Sequence, residues 1–266
     1  MFKISTNISS FLSAVKNSLR PAKYGWFGNY ASWQEAANDS SGYNSAVIVE
    51  NVKDGLLKVK TGDAAFERDS VVFSKTEYVW PVLAGLLWIA AQRRSGLNVL
   101  DFGGSLGSTF FQYRRFLSAI NVQWNVVEQG VFIDYGVKYF QDKHLRFYYT
   151  VEECLSENAV DVILLSSVLP YLEKPYHWLD VLMSVEAPFL IFDKMPFLAS
   201  GQDDRLTVQK VPPSIYDASY PAWFFNEAKF MKALERKYDL VESFEGEDKA
   251  NIPSVFKGFI FSLKNR

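Results

Sequence analysis

From residue 97 onward the chain alternates short apolar runs with segments whose apolar positions recur at helical spacing. The runs at 98–102, 124–128, 145–149, 160–166 and 188–193 are rich in Val, Ile, Leu and Phe, which predicts strands buried on both faces. Segments 108–117, 131–140 and 175–184 between them predict helices. This alternation predicts a doubly wound α/β fold with a mostly parallel sheet. The end of the chain breaks the pattern. It predicts a long loop over 196–221, a helix over 222–238 and strands at 239–244 and 256–263. A link through GEDKANIPS joins that last pair, so the final strand is expected to run antiparallel and complete a sheet of seven strands.

Upstream, residues 1–94 read as an N-terminal helical or lid extension, and 95–266 as the main domain. Ile4, Ile8, Phe11, Leu12, Val15 and Leu19 fall at helical spacing. With three basic residues nearby, this predicts a helix packed on protein in preference to one lying on a membrane. The aromatic, glycine-rich stretch 24–30 predicts a loop, with Trp26, Phe27 and Tyr30 placed to act as a lid. Ser32 with Glu35 forms a capping box that opens a short helix. A helix is predicted over 45–59 despite Gly55, an irregular or extended link over 66–73, and a buried helix over 78–93.

Composition narrows the function. The chain has 266 residues, 48% of them hydrophobic and 16% aromatic, enough for a large core and an aromatic-lined pocket. A net charge of −2 with scattered Lys and Arg argues against nucleic acid as a partner. Cys154 is the only cysteine, which excludes an intrachain disulfide. No apolar run reaches the ~18–20 residues of an integral membrane segment. A cytoplasmic location is expected.

The stretch NVLDFGGSLGSTFFQYRR carries the chemistry. A strand ends at Asp101, and a turn through Gly103, Gly104, Ser105 and Gly107 opens a helix. A phosphate-binding loop needs Lys after the last glycine, and none follows Gly107. The glycine spacing also fails the dinucleotide pattern G-x-G-x-x-G. What it resembles is the first motif of S-adenosylmethionine (SAM)-dependent methyltransferases, acid-x-Gly-x-Gly-x-Gly, with Ser105 at the middle glycine and Gly104 expected to supply the missing freedom. Glu128, at the end of WNVVE, stands where an acid suits both ribose hydroxyls. Together with LLSSVLPYLEKPY, VPPSIYDASYPAWFF and FGNYASWQEA, these segments are similar to a group of bacterial class I methyltransferases often encountered with surface-polysaccharide genes.

The resemblance implies SAM as cofactor, held by Asp101, Gly103, Gly104, Ser105, Gly107, Glu128 and Ser166. In that family the turn packs against the amino-acid end of SAM, and the acid before it helps position the cationic portion. A small molecule or glycan is implied as acceptor, methylated at oxygen. Protein or RNA methylation, or a degenerate methyltransferase that only binds, are the alternatives. A hydroxyl acceptor needs a base. Asp193, ending the fifth strand, ranks first, then Tyr171 and His177. His144 falls at the wrong end of the sheet. Tyr216, Tyr220 and Arg205 are expected to bind the acceptor from the 196–221 loop, whereas Trp223 is expected to pin that loop to the core. No His, Asp and Glu set has the spacing of a metal site.

Overall fold

The computed structural model describes residues 23–42, 45–93, 96–199 and 201–265. The helix expected over 1–20 lies outside them. The N-terminal part contains β1 (Gly25–Tyr30), α1 (Trp33–Asn38), α2 (Ser45–Thr61), the short pair β2 (Phe66–Arg68) and β3 (Val71–Phe73), and α3 (Trp80–Ala91). There follow β4 (Leu97–Phe102), α4 (Ser108–Leu117), β5 (Val122–Val127), α5 (Gly130–Tyr139), β6 (Leu145–Tyr148), α6 (Val151–Glu157) and β7 (Val162–Ser166). The rest comprises a 3-10 turn at Leu169–Tyr171, α7 (Pro175–Ser184), β8 (Phe189–Leu198), β9 (Arg205–Lys210), β10 (Ser219–Phe224), α8 (Glu227–Leu234), β11 (Tyr238–Glu245) and β12 (Ser254–Leu263).

Seven strands form the central sheet in the order β11-β12-β8-β7-β4-β5-β6. β4 to β8 run parallel, and β12 runs antiparallel between β8 and β11. This is the doubly wound, mostly parallel seven-stranded sheet with an antiparallel last strand that the strand pattern predicts. Alternate residues feed two cores. Val99, Trp124, Val126, Val162 and Leu164 point to the side covered by α2 to α5. Leu100, Phe102, Val127, Ile163 and Leu165 point to the side covered by α6 to α8. Both faces are dry, which is why these strands read as unbroken apolar runs.

Four sequence expectations need correction. The stretch read as a loop near residue 27 is β1, which pairs antiparallel with β9. The segment read as the loop 196–221 holds the end of β8, all of β9 and the start of β10, and β1-β9-β10 form a second sheet. Pro221 is tolerated in β10 because that strand is at an edge. The helix predicted from 222 starts only at Glu227, with Asn226 as its N-cap accepting from Lys229 N. Finally, α3 is not buried all round. Val82, Leu83, Leu86 and Ile89 face the core, while Trp80 and Trp88 remain 57% and 43% exposed.

Candidate active site

β4 sits between β5 and β7, whose following connections leave to opposite faces of the sheet. The C-terminal ends of β4 and β7 therefore frame the switch-point crevice where ligands bind in such sheets. The glycine-rich turn leaves β4 here. Gly103, Ser105 and Gly107 all take left-handed backbone, with φ of +75°, +55° and +86°. Ser105 thus adopts the glycine-like conformation itself, and Gly104 does not supply it. Gly104 is small for another reason: a Cβ there would lie 2.5 Å from the Asp101 carboxyl. A Cβ on Gly103 would lie 2.3 Å from the Val168 side chain. The turn is thereby pressed onto the acid beneath it and onto the loop after β7.

Three carboxylates surround this turn. Asp101 is 1% exposed and accepts a hydrogen bond from Trp124 Nε1 at 2.9 Å. Burial, with the Glu128 charge adding to it, raises its pKa to about 7 despite that bond. Glu128 accepts Ser105 N at 3.3 Å on one oxygen and Gln129 N at 2.8 Å on the other. Burial raises its pKa too. The third is Glu67 of β2, which is 2% exposed and accepts Ser108 Oγ at 2.6 Å. Its pKa is pushed up to about 7 by burial. Among the described residues none of the three belongs to an ion pair. Buried carboxylates without a counter-charge are costly, and a cationic ligand would supply one.

On the other side of the crevice, Asp193 lies beside the end of β7, paired in register with Ser166. β8 does not end there, as its sequence suggested, but continues to Leu198. Between Phe192 and Met195 its ladder to β12 slips by one residue. Lys194 in this bulge has φ +55°. Such a bulge re-aims side chains, and Asp193 lines the cavity, its Oδ2 accepting Ser166 Oγ at 3.1 Å. Burial raises the Asp193 pKa, opposed by the Lys194 charge.

The other candidates separate by position. Tyr171 follows the 3-10 turn's proline, and its hydroxyl donates to Gln209 Oε1 of β9 at 2.8 Å. Burial raises its pKa, so the hydroxyl stays protonated and does not suit a base. Tyr216 and Tyr220 share a hydroxyl–hydroxyl contact of 3.1 Å, and Tyr220 meets the Tyr171 ring edge-on. All three tyrosines line the cavity, but Arg205 does not. Arg205 instead donates Nε and a terminal nitrogen to the Gly28 carbonyl, at 2.9 and 2.6 Å, tying β9 to β1. His177 is exposed at the cavity margin. His144 caps the opposite end of the sheet, its Nδ1 3.0 Å from the Val122 carbonyl. Trp223 donates to the Leu172 carbonyl at 3.1 Å, outside the cavity. Of the proposed lid aromatics only Trp26 lines the cavity, fixed edge-on against Phe224. Cys154 is buried, its thiol pushed up to about 12, and is no nucleophile.

The resulting cavity measures about 1630 Å³. That exceeds the roughly 300–1,000 Å³ of a single-ligand pocket, which leaves room for two ligands. Among the described residues, no group of three or more His, Cys, Asp or Glu is placed to hold a metal ion.

No family model and no curated protein matches the chain. Solved structures of similar shape exist. The 1,6-didemethyltoxoflavin-N1-methyltransferase of Burkholderia thailandensis, with bound 1,6-didemethyltoxoflavin and S-adenosylhomocysteine, is 13% identical, with 92% of this chain and 97% of that one covered at a TM-score of 0.43. The N-methyltransferase NodS of Bradyrhizobium japonicum, also with S-adenosylhomocysteine, is 15% identical over 70% and 87%, at 0.42. A SAM-dependent methyltransferase of Clostridium acetobutylicum is 10% identical over 69% and 91%, at 0.45. At such identity and overlap the function has to be argued from the site itself.

Sequence reasoning missed Glu67, Gln209 and the bulge at Lys194. Glu67 and Gln209 sit on strands read as link or loop. The only trace of the bulge in the sequence is the charged pair Asp193–Lys194 within an apolar run.

Proposed function

We propose that this chain is a SAM-dependent methyltransferase acting on a hydroxyl of a small molecule or glycan. The observation that carries the reading is the combination at the switch point: a left-handed glycine-rich turn beside two buried carboxylates, Asp101 and Glu67, and the half-buried Glu128, none of them in an ion pair among the described residues. An anionic nucleotide would be repelled there, whereas a sulfonium amino acid is attracted. The sequence resemblance supports the same cofactor and adds the glycan context.

The turn from Gly103 to Gly107 would hold the amino-acid end, and Glu128 the ribose hydroxyls. Both Glu128 oxygens keep acceptor capacity beyond their backbone bonds. When bound, SAM supplies an electrophilic sulfonium methyl. The protein has to align the acceptor and exclude water. Asp193 takes the hydroxyl proton: Ser166 Oγ orients its carboxylate, and burial raises its pKa, which makes it a stronger base than an exposed aspartate. Tyr171, Tyr216 and Tyr220 form the acceptor wall through ring faces and hydroxyls.

Two measurements test this. S-adenosylhomocysteine should bind in calorimetry, and Glu128→Gln should weaken it; absence of binding removes the cofactor. Asp193→Asn should lower kcat by about 10²-fold or more in a SAM-consumption assay against glycan and nucleotide-sugar pools, with cofactor affinity unchanged. Equal losses in both would reject its role as base.

A further inference from the structure

Glu67 is assigned no ligand group in the reading above, yet the fold goes to some length to place it. It stands on β2 of the β2–β3 hairpin, 41 residues before its partner Ser108. The hairpin turn, Asp69–Ser70, takes left-handed backbone at both residues, with φ of +51° and +69°, although neither is glycine. Such conformations cost roughly 1–2 kcal/mol each and persist where the surroundings impose them. Here Ser70 N donates to Glu67 Oε1 at 2.7 Å. Beneath it, α2 carries Gly55, where a Cβ would lie 2.9 Å from Glu67 Cγ. The glycine that weakens α2 as a helix makes room for this side chain.

The carboxylate ends at the first residue of α4. The N-cap of that helix, Gly107, offers no side-chain bond. Glu67 Oε2 accepts Ser108 Oγ at 2.6 Å, adjoining the glycine-rich turn on the cavity wall. The charge of Asp69, of the same sign, adds to the effect of burial on Glu67. The side chain is thus a 2%-exposed acid with one hydrogen bond to each oxygen and no cation among its described partners. Each oxygen retains capacity for a second donor. Asp101, which the resemblance assigns to the cationic end, is pinned by Trp124 Nε1 under Gly104.

We propose that Glu67, from outside the seven-stranded sheet, receives the α-ammonium of SAM. The inference rests on the cofactor reading above. A primary ammonium offers three donors and a full positive charge, which is what the free acceptor sites and the missing counter-charge of Glu67 require. The segment before residue 94 then completes the cofactor site.

The test compares two ligands by calorimetry. S-adenosylhomocysteine carries the ammonium; 5′-methylthioadenosine is the same nucleoside thioether without the amino-acid arm. Glu67→Gln, which keeps shape and hydrogen bonding, should weaken the first about tenfold or more and leave the second unchanged. Ser108→Ala, which removes the hydroxyl and keeps the charge, should cost much less. Equal weakening of both ligands by Glu67→Gln means that the residue only shapes the turn, and overturns the proposal. Unchanged S-adenosylhomocysteine affinity in Glu67→Gln, or an equal loss in Ser108→Ala, also overturns it. A wild-type protein that binds methylthioadenosine and not S-adenosylhomocysteine rejects Glu67 alone; one that binds neither removes the cofactor reading and this inference with it.

Discussion

Gly104 illustrates how a single residue sets the floor of the site. Its value lies not in unusual backbone but in the absence of a Cβ over the Asp101 carboxyl. Gly104→Ala is therefore an overpacking change costing about 1–3 kcal/mol, or roughly 2–4 °C of Tm per kcal/mol at this chain length. S-adenosylhomocysteine affinity should fall with it, because the turn has to lift off Asp101. Unchanged melting and affinity would show that the contact relaxes freely. Asp101, Glu128 and the glycines were legible in the sequence because their signal is local: an acid, a turn and a strand end within a few residues. Glu67 was not, since its meaning depends on Ser108, 41 positions away.

At the scale of elements, alternation of apolar runs located the parallel strands to within a few residues. It failed for the second sheet. β1 carries Gly25 and Gly28, and β10 carries Pro221, so both resemble loops locally. They are strands because β9 lies between them and supplies partners on both sides. Arg205, read from sequence as an acceptor ligand, contributes to this pairing through its two bonds to the Gly28 carbonyl. Arg205→Ala should cost about 1.5–3 kcal/mol locally, read as faster hydrogen exchange at the amides of β1, with S-adenosylhomocysteine binding unchanged. Exchange unaltered at β1 would show that the strand is held without the clamp.

For the whole molecule, burying acids around one cavity links stability and binding to pH. Glu67 and Asp101 both titrate at about 7 in the folded chain, against about 4 for ordinary carboxyls. Between those values the folded state holds more protons than the unfolded one. The ligand-free protein therefore loses stability as pH rises from about 4 towards 7. A bound cation favours the ionised acids, so SAM affinity should rise with pH through 7 and binding near pH 6 should release protons. Titrations in buffers of different ionisation enthalpy measure that release; none would mean that these acids do not face the ligand's charge. The sequence by itself determined the parallel core, the turn and the acids at its strand ends, because periodicity and short motifs act between near neighbours. Only the tertiary structure decided that β1 and β9 are strands, that a bulge aims Asp193 into the crevice, and that Glu67 reaches the NVLDFGGSLG turn. Those outcomes depend on contacts between distant segments and on burial, which no local pattern encodes.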